Sequence, residues 1–341
     1  MHIKIQNSLI GYHNPVFIIA EGCDNHLGNI ATAKEMIREA KRAGADAIKF
    51  QHHLPDEEML PDTPMSDNFQ EPLYEFLKKY ALTLEQHREL KSYCDEVGIL
   101  YMCTPFSLKA AQEINSLVPA FKIGSGEMTD IPSLVRIGQM SKPMIVSTGM
   151  CTLEEIDRTY NALANRDVPL VLMNCLSEYP PVYEDLNLGV ITEMIKRYPK
   201  AVIGHSDHTP DLYTCFAATA LGARVLEKHV ILDKSQPGPD QSVSIEFDEL
   251  AKLVEGVRKI EVSLGTEKRV QSKEKSIRTW AFRSIVSLRP IAAGEVIQQD
   301  DIWSKRPGTG IPAHQMDNVI GKKVIKDIPA NTLISWADLD E

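Results

Sequence analysis

Residues 201–240, AVIGHSDHTPDLYTCFAATALGARVLEKHVILDKSQPGPD, hold the densest chemistry of the chain. Two apolar, β-rich runs, 201–203 and 224–230, bracket a helical stretch over 211–221. The first run leads into His205-Ser206-Asp207-His208, and the second carries Glu227 and His229. A strand–helix–strand unit of this length makes its strands parallel, so the two strand ends share one rim. His208 and His229 then stand near each other, among Glu227, Asp207 and Asp240. Two imidazoles beside carboxylates could hold a divalent metal and leave positions open for substrate. The competing reading has one histidine capping the helix and the other packing in the core, and spacing alone leaves both open.

The elements that must carry these residues follow a regular rhythm. Short β-like runs recur at 16–21, 47–50, 99–104, 120–124, 144–148 and 170–175, ahead of the two already named. Helical stretches separate them; over 31–43, for example, Ala33, Met36, Ile37 and Ala40 fall at helical spacing. Thr152 and Glu155 have the spacing of a capping box. Eight βα units in about 250 residues predict an α/β fold of the (β/α)8 TIM-barrel type. A doubly wound sheet is disfavoured, because no G-x-G-x-x-G follows the first strand. The acidic, proline-containing stretch 52–71 reads as a mobile loop or lid. The barrel is expected over 1–265, a charged linker over 266–281, and a small β-rich domain over 282–341. A domain that small has a thin core and is expected to dock on something larger.

Barrel enzymes work at the C-terminal ends of their strands. The sequence places Glu21, Lys49, Gln51, Thr104, Lys122, Ser125, Glu127, Ser147, Asn174, Ser177 and Tyr179 at or just beyond those ends. Lys49 and Lys122 lie inside apolar strands, where a lysine needs a partner. Either they form salt bridges with Glu21 or Glu127, or they face a bound anion. In the second case Ser125, Ser147, Ser206 and Asn174 would join them in a cradle for phosphate and carboxylate. A Schiff-base aldolase is a rival, since one desolvated lysine could be a nucleophile; the second lysine and the histidine pair weigh against it. Cys103 and Cys175 fall at strand ends and could line a pocket. In the small domain, Arg306 heads the turn Arg306-Pro307-Gly308-Thr309-Gly310, either as a solvated surface charge or as a ligand contact.

Composition bounds the rest. The chain has 341 residues and a net charge of −10, which argues against a nucleic-acid surface. A local pocket of lysine and arginine could still take a small anion. No apolar run approaches the ~20 residues of a membrane span, and no secretory signal pattern opens the chain, so a cytoplasmic location is expected. The six cysteines form no C-x-x-C pair and read as free thiols.

Taken in order, IIAEGCDNHLGN, GADAIKFQ, CTPFS, FKIGSGE, IVSTGM, GHSDHT, LEKHV and PGPD resemble the sialic acid synthase family across essentially the whole chain. RPGTGIP resembles the motif of the antifreeze-like (SAF) domain that follows the barrel in that family. The resemblance implies a condensation of phosphoenolpyruvate with an open-chain N-acetylated amino sugar, giving a nine-carbon 2-keto acid and phosphate. It implies a divalent metal, Mn2+ or Mg2+, on His208 and His229. It assigns Lys49 and Thr104 to the carboxylate of phosphoenolpyruvate, and Lys122, Ser125, Ser147 and Ser206 to its phosphate. Glu21 would meet a metal-bound water or the sugar, and Glu127 and Glu227 would handle protons. Gln51, Tyr179 and Asp240 would contact the sugar. Arg306 would bind its N-acyl group across a domain-swapped homodimer. Three positions depart from the family pattern. EGCDNH stands where small apolar residues usually precede Asn-His, Ser177 where Asn is frequent, and Gln241 where His is common. The PGPD motif favours a neuraminate or legionaminate product over pseudaminate. A metal-dependent hydrolase, and a carbohydrate-binding protein without catalysis, are the readings from other classes.

Overall fold

A computed structural model describes residues 1–64, 71–238 and 240–340. Its first compact unit, Met1–Gly265, is built on eight parallel strands. A short antiparallel hairpin, β1 (His2–Ile5) and β2 (Ser8–Gly11), precedes them. The eight are β3 (Phe17–Glu21), β4 (Ala47–His52), β5 (Leu100–Pro105), β6 (Phe121–Ile123), β7 (Met144–Ser147), β8 (Leu170–Cys175), β9 (Ala201–Asp207) and β10 (Val225–Ile231). Hydrogen bonds link them in the order β5-β4-β3-β10-β9-β8-β7-β6. β5 and β6 meet at the seam, which closes the sheet on itself. The fold is therefore a TIM-type (β/α)8 barrel.

Side chains alternate across each strand, and that alternation sorts the core into two clusters. Phe17, Ile19, Ala47, Met102, Ala120, Ile145, Val171, Met173, Val202 and Val225 fill the barrel interior. The residues next to them in sequence, such as Ile18, Ile48, Tyr101 and Leu172, point outward and pack under the helices. Gly204 takes an interior position where a Cβ would meet Met173 Sδ at 2.3 Å and the Val225 carbonyl oxygen at 2.7 Å, so no side chain fits there. Ile3, Ile5 and Ile10 of the hairpin join the interior cluster and stopper the barrel at the end opposite the strand termini. The sequence reading began its strands at residue 16 and missed this hairpin.

Helix ends follow local chemistry. The helix Ile30–Ala43 starts with Asn29 accepting from the Ala31 and Thr32 amides and stops at Gly44 with φ +88°. The Thr152–Glu155 capping box forms and opens Leu153–Ala164. Three expectations change. β9 runs on to Asp207, so His205 and Ser206 belong to a strand and not to the loop after it. The stretch read as a lid contains a helical turn at Pro55–Glu58, followed by an unforeseen helix at Leu73–Tyr80; residues 65–70 lie outside the described residues. Within the segment read as a linker, Glu274–Ala281 is helical.

The second compact unit, Thr266–Glu341, pairs Ser284–Ser287 with Ile302–Lys305 in an antiparallel ribbon. Its core is aliphatic: Ile285, Ile291, Ile297, Ile302, Ile311, Val319, Val324, Ile328, Ile334 and Leu339. Among the described residues, no helix is long and apolar enough to cross a membrane.

Candidate active site

The inward-pointing series that is apolar through the barrel turns polar at the strand ends. Continuing each interior position by two residues gives Ile19 to Glu21, Ala47 to Lys49 and Gln51, Met102 to Thr104, Ala120 to Lys122, Ile145 to Ser147, Gly204 to Ser206 and His208, and Val225 to Glu227 and His229. These residues line a cavity of about 380 Å³, with Ser125, Cys175, Ser177, Tyr179, Asp24, His53 and Asp240 around them. A wider groove of about 820 Å³ lies within the C-terminal unit and contains none of the barrel residues.

Glu227 sits at the centre of the floor, between the two lysines. Its carboxylate lies 3.7 Å from Lys49 Nζ and 3.4 Å from Lys122 Nζ, and Ser206 Oγ donates to it at 3.2 Å. Lys49 also meets Glu21 at 2.6 Å and donates to Thr104 Oγ1 at 2.8 Å, while Lys122 donates to Ser147 Oγ at 2.7 Å. Gln51 Nε2 donates to the other oxygen of Glu21 at 2.9 Å. All of these floor residues but the part-buried Gln51 are buried, so their charges are strong influences on one another. Burial pushes the Glu21 carboxyl up to about 7, against the opposing pull of Lys49. Burial acts the same way on Glu227, but Lys122 and Lys49 outweigh it and hold its pKa below the ordinary value. Burial also disfavours the Lys49 ammonium, and Glu21 and Glu227 more than restore it. The floor thus sets two lysines, Lys49 firmly an ammonium, around one firm carboxylate, with a second carboxyl that can be neutral near pH 7. When Glu21 takes a proton, the floor gains positive charge and suits an anion with two separate acceptor ends.

The rim holds imidazoles. His208 and His229 have ring centroids 5.1 Å apart. His208 Nδ1 donates to the Leu176 carbonyl at 2.6 Å, and its Nε2 lies 3.0 Å from the Tyr179 hydroxyl; burial lowers its pKa, but the neighbouring Cys175 outweighs that and raises it to about 9, so a cation there displaces the Nε2 proton. A backbone-anchored imidazole with its other nitrogen turned inward is the arrangement of a metal ligand. His229 is buried, and its Nδ1 has no hydrogen-bond partner. Burial and the nearby His208 drive its pKa well down, which keeps it neutral, as a ligand must be. Cys23, His229 and Asp240 bring one potential ligand atom each to within 4.8 Å of one another. The residues present therefore fit a divalent cation.

Other predicted residues fall differently. Asn174 is not in the cavity: it has outward parity on β8, and its amide nitrogen lies 3.4 Å from His205 Nδ1. Asp207 is likewise outside, paired with Lys228 at 2.6 Å and accepting from Thr209 Oγ1 at 2.9 Å. It is not available to a cation on the inner face. Cys103 packs in the outer layer, whereas Cys175 lines the cavity next to Ser125. Glu127 stands behind the Gly124 backbone, with Oε2 unpartnered and its carboxyl pushed by burial to about 7. Ser177 and Tyr179 are at the mouth. Arg306 belongs to the C-terminal unit, where Nε donates to the Ala281 carbonyl at 3.1 Å and the guanidinium lies 5.2 Å from the Trp280 ring centre. Of the PGPD motif, Pro239 lies outside the described residues.

The sequence reading missed Cys23, and also the His53 network. His53 Nδ1 meets Glu58 at 2.9 Å, and its Nε2 meets Gln51 at 3.0 Å and Asp24 at 3.7 Å. Strand parity was the available signal for Cys23, which follows Ile19 and Glu21 by steps of two.

Fold and site together define a barrel with two buried lysines around a carboxylate on its floor and a group of residues at its rim that could hold a cation. The chain belongs to the NeuB family, whose model matches residues 36–269, and a SAF domain matches residues 282–340. It is 35% identical to the N,N'-diacetyllegionaminic acid synthase of Legionella pneumophila, over 95% of this chain and 94% of that one. It is 34% identical to the human N-acetylneuraminate-9-phosphate synthase, over 95% and 93% of the two chains. The crystal structure of the N-acetylneuraminic acid synthetase of Leptospira borgpetersenii, in complex with citrate, superposes with a TM-score of 0.75 at 31% identity, covering 81% of this chain and 95% of that one.

Proposed function

We propose that this chain is a nonulosonic acid synthase, which condenses phosphoenolpyruvate with an open-chain N-acetylated amino sugar. The observation that carries the reading is the floor: two buried lysines straddle Glu227 and face the His208–His229 rim across one cavity. An anion with a carboxylate at one end and a phosphate at the other matches two ammonium groups held apart by a carboxylate. Lys49 and Thr104 would take the carboxylate end. Lys122, Ser147, Ser206 and Ser125 would take the phosphate. Binding of this anion favours a neutral Glu21, whose buried carboxyl is already raised to about 7. Gln51, Tyr179, Ser177 and Asp240 line the same cavity and would contact the sugar, and Asn174, outside it, would have no part.

In the reaction, the methylene carbon of phosphoenolpyruvate forms a bond to the aldehyde carbon of the sugar. The aldehyde oxygen takes a proton and becomes a hydroxyl. Water adds at the former enol carbon, and phosphate leaves with cleavage of the carbon–oxygen bond, giving the 2-keto acid. His208 and His229 would hold a divalent cation, which supplies Lewis acidity toward the aldehyde oxygen. Glu21 reaches the cavity with a proton to give near neutral pH, and Glu227, held ionised by the lysines, can accept one from water. Glu127 is a further proton carrier just behind the Gly124 backbone. The PGPD motif favours a product of the neuraminate or legionaminate kind, and a pseudaminate synthase, a name that relatives 34% identical also carry, is the alternative. Arg306 would serve the barrel of a partner subunit in a homodimer.

The test is phosphate release from phosphoenolpyruvate by the metal-loaded protein, with N-acetylmannosamine, its 6-phosphate and 2,4-diacetamido-trideoxy hexoses offered in turn. Release that depends on one sugar and stops with chelator supports the synthase and names the substrate. Retention of a sugar in equilibrium dialysis, with no release under any condition, would point to carbohydrate binding without catalysis.

A further inference from the structure

We propose that Cys23 and Asp240 are cation ligands together with His229, so that this rim is a thiolate–imidazole–carboxylate site suited to zinc, iron(II) or cobalt(II). The inference rests on the cation reading given above and extends it to two residues which that reading leaves to other roles or to none.

The placement follows from the strands. His229 on β10 is paired in register with Glu21 on β3. Cys23 lies one inward step beyond Glu21 and therefore passes over His229. The chain turns sharply there: Gly22 N donates to the Lys49 carbonyl at 2.8 Å, and Cys23 takes a left-handed φ of +39°. Asn25, next in the turn, donates to the Val230 carbonyl at 2.9 Å and to Ser244 Oγ at 3.0 Å. Ser244 Oγ in turn donates to the Asp240 carbonyl at 2.7 Å. One asparagine thus ties the Cys23 turn to the loop that carries Asp240, and both converge on the end of β10.

The result is three ligand atoms of different chemistry within 4.8 Å of one another. Two ligands of one ion, each about 2.0–2.3 Å from it, are separated by no more than this. Cys23 is fully buried, and the buried His229 Nδ1 has no partner, so the cluster carries a polar atom that protein groups leave unsatisfied. His208 is not one of the three, but its ring centre lies 5.1 Å from that of His229, beside the cluster. A sulfur ligand shifts a site away from magnesium and toward borderline ions, because a thiolate is soft. Binding releases the thiol proton to solvent.

The experiment loads the stripped full-length protein with cobalt(II), confirms one equivalent by elemental analysis, and reads the thiolate-to-cobalt charge-transfer band in the near ultraviolet. The band is expected in the wild type and in Cys175→Ser, and lost in Cys23→Ser. Cobalt bound without the band overturns the proposal and leaves the histidine-based cation reading standing. A band that survives Cys23→Ser and disappears in Cys175→Ser overturns it too. Failure to bind cobalt, zinc or manganese at all overturns both readings. X-ray absorption on the zinc-loaded wild type needs no variant: one sulfur at about 2.3 Å supports the proposal, and a shell of nitrogen and oxygen alone overturns it. In competition, Cys23→Ser should lose about tenfold or more in preference for zinc over manganese.

Discussion

Two buried polar clusters occupy opposite faces of the same strands, one residue apart. On the inner face, Ser206 and Glu227 meet Lys49 and Lys122. On the outer face, Asp207 and Lys228 pair at 2.6 Å, with His205 3.5 Å from Asp207 and Thr209 accepting from Lys228. Both contain lysines and carboxylates, and both are nearly inaccessible to water. The outer cluster is closed. Burial would raise the Asp207 pKa, yet His205 and Lys228 hold it well below the carboxylate range. The inner cluster is open: it faces a cavity, Glu227 Oε2 has no hydrogen-bond partner and only Lys49 near it at 3.7 Å, and the Glu21 carboxyl is raised to about 7. Similar residue types thus serve as a structural strut on one face and as a responsive surface on the other. What separates them is the access of a ligand to the inner face.

The largest effect expected is on stability, from the strut. Lys228→Met strands Asp207 in the outer layer, and removal of one partner from a buried pair costs about 3–5 kcal/mol. Chemical denaturation should show that loss, and a change below about 1 kcal/mol would mean that the outer pair does not differ from the inner one. Lys49→Met should reverse the pattern. Phosphate release should fall by about 10²–10³-fold, as for loss of a preorganised charge contact. Stability should change less than in Lys228→Met, because Glu21 can take up a proton when its partner is gone.

Strand parity explains both what could be read in the sequence and what could not. The barrel was legible because eight apolar runs recur at βα spacing, and most of the floor because Lys49, Lys122 and Glu227 are charges inside such runs. The hairpin was not, since His2–Ile5 and Ser8–Gly11 are four residues each and gain their burial only from the barrel above them. Asn174 and Asp207 were misplaced for one reason: being near a strand end was taken as facing the site. Counting by twos from Val171 and Val202 sends both to the outer face and brings in Cys175 and Ser206. The same count from Ile19 reaches Cys23. Asp240 and His53 follow no such rule, because loop paths position them through contacts between residues far apart in sequence, such as Asn25 with Ser244.

Proton linkage sharpens the contrast further. The Glu127 carboxyl is raised by burial from 4.5 to about 7. A carboxyl with a raised folded-state pKa binds its proton more tightly in the native state. It therefore costs no stability below about pH 4.5, and an increasing amount as the pH rises to 7, reaching on the order of 3 kcal/mol above that. Glu127→Gln should remove this cost, so its stability relative to wild type should increase between pH 4 and pH 8. An unchanging difference across that range would show that Glu127 is no more open to proton exchange than Asp207.

The smallest effect is the most direct test of which face matters. Asn174 and Ser147 both lie in or at the end of barrel strands, and both could be assigned to phosphate from sequence. Ser147 accepts from Lys122 at 2.7 Å inside the cavity, and Asn174 faces His205 behind the wall. Ser147→Ala should raise the KM for phosphoenolpyruvate about tenfold, in line with the lower end of the ~1.5–3 kcal/mol for a hydrogen bond to a charged group, and leave the melting temperature nearly unchanged. Asn174→Ala should leave kcat/KM within about twofold. Its cost should fall on folding, at about 1 kcal/mol or less, seen as a melting temperature lower by about 2–4 °C. If instead Asn174→Ala raised the KM and spared the melting temperature, the wall of the barrel would not separate strut from site. The inner and outer clusters would then have to be treated as one network through His205.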